Sequence, residues 1–273
     1  MTAVINTNVS SLQAQQSLTV NQRSMQDSMR QLSTGSKVSS AKDDAAGLAV
    51  GMSMTSQIRG LNQAVRNLGD AMNMIQTTES SLSQTNDMLQ RMRELAVQSA
   101  NGALNSTQRG YLQTEFSALS SQIGKIASDT TWNGTQVLNA GATYTFQAGM
   151  NSGQTITVTI ATAATVAGLM GSAGTGISTP TAASLAIDTM DVAITAVASQ
   201  RATLGAAINQ MTYASDNLTN VSTNISASRS SIMDTDYASA SSQLSKGQII
   251  QQAATAMLAQ ANQQPQTVLA LLK

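Results

Sequence analysis

Residues 58–96 read IRGLNQAVRNLGDAMNMIQTTESSLSQTNDMLQRMRELA. Apolar side chains recur there in steps of three and four: Ile58, Leu61, Val65, Leu68, Met72 and Ile75, then Leu82 and Leu89. Glu79 and Asn86 stand where the series expects apolar residues. A seven-residue period of this kind buries one stripe of an α-helix against a partner. At the α-helical rise the run spans roughly 58 Å.

Working outward, a second series follows: Leu112, Phe116, Leu119, Ile123 and Ile126. Asn101-Gly102 stops the first helix and Asn105 caps the next, which predicts an antiparallel helical hairpin. A third seam runs through Ile187, Met190, Ile194, Val197, Leu204, Ile208, Met211, Leu218, Ile225 and Ile232. Arg201, Ser215, Ser222 and Arg229 fall at its gaps. Three sustained heptad seams predict a mainly α fold, a rod-like antiparallel bundle of long helices with left-handed packing.

Between the second and third seams the period drops to two. Thr143 to Ala148 and Gln154 to Ile160 alternate around a turn at Met150–Gly153, a β-hairpin signal. Trp132-Asn-Gly134 offers a further tight turn. Residues 161–183, rich in Ala, Gly, Thr and Ser and containing Pro180, read as a short surface loop.

The two ends differ from the middle. On the N-terminal side Leu18, Met25, Met29 and Leu32 form a narrow apolar stripe, ended by Gly35 and a Ser-rich linker to Ser40. On the C-terminal side Ile250, Ala254, Met257 and Ala261 form another, interrupted by Pro265. Ser40 with Asp43 and Asp44 gives a capping-box-like start for the next helix. Isolated helices of this kind are marginal in water. The expected solution is a paired coiled coil of the two ends, finished by other copies of the chain.

Composition narrows the function. The chain has 273 residues, 14 basic and 14 acidic, so its formal net charge is zero. Nothing here makes the electrostatic footprint of a nucleic-acid or anionic-membrane binder, and a near-neutral surface favours association. Cysteine and histidine are absent, which removes disulfides, Cys/His metal sites and the commonest general base. Aromatic residues are only 3%, which suits slender bundles better than a globule. A membrane span and a cleavable secretory signal are not expected. The carboxylate pairs Asp43/Asp44 and Asp234/Asp236 read as helix caps before metal ligands. No phosphate loop, nucleophile elbow or zinc motif appears, so neither an enzyme nor a cofactor is expected.

The ends carry a resemblance. Val4-Ile-Asn-Thr-Asn8, Leu32-Ser-Thr-Gly35, Ser39-Ser-Ala-Lys-Asp-Asp-Ala-Ala-Gly47 and Leu89-Gln-Arg-Met-Arg-Glu-Leu-Ala-Val-Gln-Ser-Ala-Asn101 occur in that order. Ser231-Ile-Met-Asp-Thr-Asp-Tyr-Ala238, Gln248-Ile-Ile-Gln-Gln-Ala-Ala254 and Leu258-Ala-Gln-Ala-Asn-Gln-Gln-Pro265 follow. Together they resemble the bacterial flagellins.

The resemblance implies an inner domain of the terminal helices, residues 1–40 with 237–273. It implies a wall domain, residues 41–160 with 184–236, that holds the hairpin. Residues 161–183 stand where longer relatives carry outer domains. It implies a subunit of the extracellular flagellar filament, a homopolymer or mixed polymer used for motility. The implied partners are other flagellin copies, the type III export apparatus and its chaperone, and the cap and junction proteins. Arg91 and Leu95, with Glu115 on the next helix, match positions that contact a neighbouring subunit and that Toll-like receptor 5 reads in related proteins. The alternative within the same superfamily is a hook–filament junction protein.

Overall fold

The computed structural model describes residues 7–138, 142–160 and 176–271, with side chains up to residue 263. The expected loop at 161–183 therefore lies mostly outside the described residues, as does most of the motif beginning at Val4. Five helices are described: α1 (Val9–Thr34), α2 (Ala45–Ala100), α3 (Ser106–Asp129), α4 (Pro180–Met233) and α5 (Tyr237–Leu271). Two antiparallel strand pairs join them: β1 (Thr131–Trp132) with β2 (Thr135–Gln136), and β3 (Thr143–Gln147) with β4 (Thr155–Thr159).

The chain forms two compact units. One comprises Met1–Ile58 and Thr223–Lys273, the other Arg59–Ser222. The divisions fall inside α2 and α4, after residue 40 and before residue 237, and each of these helices runs unbroken for more than fifty residues. α4 begins at Pro180, so the last residues of the expected loop are helical. Proline suits the first turn because its missing N–H has no helical acceptor to lose.

In the second unit α2 and α4 run antiparallel. Arg93 pairs with Asp191, Glu79 with Arg201, and Asn62 with Ser222. The helices face each other along strict three–four series that differ from the expected ones. On α2 the buried line is Leu61, Ala64, Leu68, Ala71, Ile75, Thr78, Leu82, Thr85, Leu89, Met92, Ala96 and Ser99. On α4 Ala183, Ala186, Met190, Ala193, Val197, Leu204, Ala207 and Met211 are buried.

Half of each seam therefore lies one residue away from the larger apolar residues. Val65 and Met72 on α2, and Ile187, Ile194 and Ile208 on α4, are only partly buried. The small neighbours Ala64, Ala71, Ala186, Ala193 and Ala207 take the inward positions and leave the larger chains to close the flanks. Thr78 and Thr85 enter the core by donating their hydroxyls to the carbonyls of Met74 and Ser81, both at 2.9 Å. With that donor satisfied, threonine packs as a small branched residue.

α3 packs back on α2 through Phe116, Ile123 and Ala127. Asn105 and Gln108 form its capping box. No apolar period or motif in the sequence marks Arg109. Its buried guanidinium donates to the carbonyls of Ser99 and Asn101, at 2.9 Å each, and so covers the C-terminal end of α2.

The hairpin forms where alternation predicts it. Ile156 and Val158 point inward and Tyr144 stacks on Phe146 with ring centroids 6.4 Å apart. The tight β1–β2 turn places Asn133 and Gly134 at φ 47° and 78°, the left-handed conformation that this residue pair accepts most readily. α4 contains an 18-residue window of mean hydropathy 1.3, long and apolar enough to cross a membrane by length and composition. Its inward line belongs to this core.

Candidate assembly surface

The first unit holds both ends of the chain. α1 and α5 lie antiparallel: the Asn8 amide donates to the Ala261 carbonyl at 2.7 Å, and the Asn21 amide to the Gly247 carbonyl at 2.8 Å. The Ser11 hydroxyl donates to the Asn262 side chain at 2.9 Å.

Their seam also keeps the three–four step. On α1 it passes through Ser11, Ala14, Leu18, Asn21, Met25, Ser28 and Leu32; on α5 through Ala240, Leu244, Gly247, Gln251, Ala254, Leu258 and Ala261. Small and polar residues dominate it. At Gly247 an added Cβ would lie 3.6 Å from Asn21 Oδ1 and 3.7 Å from Met25 Cβ, so the two backbones approach closely there. α5 continues through Pro265 to Leu271, where an interruption was expected.

Of the predicted stripe residues, Leu18, Met25, Leu32, Ala254 and Ala261 face the seam. Met29, Ile250 and Met257 do not. Met29 is 55% exposed and Met257 66% exposed, and Ile250 is also exposed. The inward places next to them belong to Ser28, Gln251 and Leu258. Periodicity scored by hydrophobicity alone favours the larger apolar neighbour and misses a seam built from small residues. The outward side chains still form a set: Val9, Leu12, Val20 and Met29 on α1, and Ile249, Ile250 and Met257 on α5. Exposed apolar surface in such quantity, against a thin polar seam, marks an interaction surface.

The joint between α1 and α2 is tightly made. Gly35 closes α1 in the left-handed conformation at φ 68°. The Ser36 hydroxyl and the Lys37 N–H both donate to the Met233 carbonyl, at 2.9 and 2.7 Å, and the Thr235 N–H donates to the Gly35 carbonyl. Asp43 does not cap α2 as expected. One of its oxygens accepts from the backbone N–H and the hydroxyl of both Ser39 and Ser40. These bonds, that of the Ser40 hydroxyl first, hold its carboxyl below the ordinary value. Asp44 takes the capping role by accepting from the Gly47 N–H at 2.9 Å. Asp236 does the same for α5, accepting from the N–H groups of Ala238 and Ser239.

A family model described as the bacterial flagellin N-terminal helical region matches residues 5–143, and one described as the C-terminal helical region matches residues 187–272. The chain belongs to the bacterial flagellin family.

Similar flagellins include the flagellar filament 30.7 kDa core protein of Treponema maltophilum, 41% identical over 98% of this chain and 99% of that protein. The flagellin of Halalkalibacterium halodurans is 40% identical over 99% of this chain and 100% of its own. The crystal structure of Bacillus cereus flagellin superposes with a TM-score of 0.52 at 31% identity, covering 60% of this chain and 94% of that one. These are named as flagellins and filament core proteins, and nothing among them favours the junction-protein alternative.

The second unit of this flagellin carries the other predicted site. Arg91 on α2 donates to Glu115 on α3 at 2.9 Å and to Glu94 at 3.0 Å, and all three side chains are exposed. The two carboxylates, Glu115 first, raise the Arg91 pKa. Leu95 does not join them at the surface: it is 1% exposed and belongs to the core beneath. It sits on the inner side of α2 beside Ala96.

Proposed function

We propose that α1 and α5 are the assembly surface through which copies of this flagellin build the flagellar filament outside the cell. The chain is a structural subunit of that filament. The observation that carries the assignment is the exposed apolar set on both terminal helices, around a seam of small and polar residues that supplies little burial of its own. A second copy that covers Leu12, Val20, Ile249 and Met257 removes that surface from water at about 25 cal/mol per Å². Repeated head-to-tail contacts that do not close generate a helical polymer.

On this reading the terminal helices, residues 1–40 and 237–273, make the inner domain, and residues 41–160 with 184–236 make the wall. The exposed Arg91–Glu115 pair is a further contact for a neighbouring copy. It also offers a polar epitope to Toll-like receptor 5, with Leu95 supporting it from below. Export apparatus, chaperone, cap and junction proteins complete the proposed partners.

Seeded polymerisation tests the assignment. Wild-type protein should extend seeds, and Ile249→Ser/Met257→Ser should stay soluble with unchanged helix content. Normal filaments from the double variant would overturn it.

A further inference from the structure

Arg229 is a cation that the described residues leave incompletely paired. It lies in the last turns of α4, at a heptad gap that the sequence marks, and its side chain is partly buried. Among the described residues its only polar contact is a long one, 3.4 Å from a guanidinium nitrogen to the Thr55 hydroxyl. Its Nε is buried with no hydrogen-bond partner. The hydroxyl of Thr235, just past the end of the same helix, is buried and unpartnered as well.

The other seam arginine behaves differently. Arg201 holds the Glu79 carboxylate with two hydrogen bonds. Arg109, the buried arginine of the second unit, donates to two carbonyls. A guanidinium N–H withdrawn from water without an acceptor, as Nε is here, is unfavourable, and a carboxylate is the group whose two oxygens match the guanidinium fork.

We propose that a carboxylate from a second copy of this chain completes the Arg229 site on assembly. The inference rests on the filament-subunit reading above and names one contact within it. Charge favours that source. The unit containing Arg229 has seven basic and five acidic residues, whereas residues 59–222 have seven basic and nine acidic. Several of those acids, Asp70, Asp87, Asp188 and Asp216 among them, are exposed and hold no ion pair within the described residues. The partner group accordingly comes from the acidic unit of the neighbouring copy.

The test uses full-length protein in seeded polymerisation. Arg229→Gln should raise the critical concentration at least about tenfold, the change expected when a charge pair worth roughly one decade in binding is lost. Its unassembled circular dichroism should match wild type. Arg229→Lys should assemble, and it opens a second measurement. Filaments grown from a mixture of light and heavy-nitrogen Arg229→Lys chains are treated with a zero-length carbodiimide, which joins an amine to a carboxylate in contact. Mass spectrometry should find residue 229 linked to an Asp or Glu within residues 59–222, with mixed-isotope pairs. Polymerisation of Arg229→Gln at the wild-type critical concentration would overturn the proposal, as would same-isotope links only, or no link at residue 229. Failure of the wild-type protein to polymerise would instead strike the filament reading.

Discussion

Arg201 donates two hydrogen bonds, of 2.9 and 2.7 Å, to a single carboxylate oxygen of Glu79, 122 residues away in sequence. These two residues interrupt the apolar series of α2 and α4, and the structure brings the interruptions together. Either residue alone would put an unpaired charge beside the seam; together they fix the register of two long antiparallel helices. A slip by one heptad would separate them and leave each charge unpaired beside the seam.

Both side chains remain about a third exposed, at 34% and 35%, so solvent screens the pair. Arg201→Ala should lower unfolding free energy by about 1 kcal/mol, as should Glu79→Ala. A double-mutant cycle in urea should return a coupling of about 0.5 kcal/mol or more. The double replacement Glu79→Leu/Arg201→Leu should recover stability, since apolar isosteres at such sites are often neutral or better. A coupling indistinguishable from zero would remove the register argument.

The small-residue seam makes a second expectation. Ala71 is 1% exposed between α2 and its neighbours. Ala71→Leu forces additional carbons into a filled contact and should destabilise by about 1–3 kcal/mol. Val65→Ala, one step from the inward line, should be milder, about 1 kcal/mol, because Val65 is only partly buried. Thermal melts of the two variants decide between the alanine line and the larger-residue line as the true seam. Equal or reversed shifts would mean that the flanking residues carry the packing.

The same comparison explains what the sequence could and could not reveal. Leu61, Leu68, Ile75, Leu82 and Leu89 were legible because they are large, apolar and seven apart. Ala64, Ala71, Thr78 and Thr85 were not, because alanine and threonine are equally common on exposed helix faces. Only close approach of a second helix gives them an inward role. At the ends the effect is stronger: Ser11, Asn21, Ser28, Gly247 and Gln251 would be read as solvent-facing by any hydrophobic scale. Met29, Ile250 and Met257 score as inward for the same reason. The charged Arg91–Glu115 pair was legible through the resemblance, whereas the burial of Leu95 required the fold. Arg109 gave no sequence signal, since its partners are backbone carbonyls.

Acid should loosen the α1–α2 joint through Asp43. The folded Asp43 carboxyl titrates below its ordinary value because Ser39 and Ser40 donate to its charged form. A depressed carboxylate contributes stability above its unfolded value, near about 3.9, and loses it as pH falls through the lower folded value. The Ser39 and Ser40 amide resonances should therefore shift together, with a midpoint below that of an unstructured aspartate. Asp43→Asn should abolish the titration while leaving that of Asp191, lowered by its hydrogen bonds from Arg93, in place. A midpoint at or above the ordinary value would contradict the bonding.

Arg91 and Leu95 should separate surface from core within one helical turn. Arg91 is half exposed and its ion pairs with Glu94 and Glu115 lie in water. Arg91→Ala should change stability by less than about 1 kcal/mol. Leu95 is enclosed by the core cluster, and Leu95→Ala removes three buried carbons and leaves a cavity, a loss of about 2–5 kcal/mol. Urea denaturation of the unassembled protein measures both. The difference governs how functional assays are interpreted. Lost assembly or lost receptor signalling in a folded Arg91→Ala variant points to a contact made by the side chain itself. The same losses in Leu95→Ala are expected to follow its unfolding curve, and to be relieved at lower temperature where the variant regains its fold. A Leu95→Ala protein as stable as wild type yet silent in those assays would place Leu95 at the surface in the functional state.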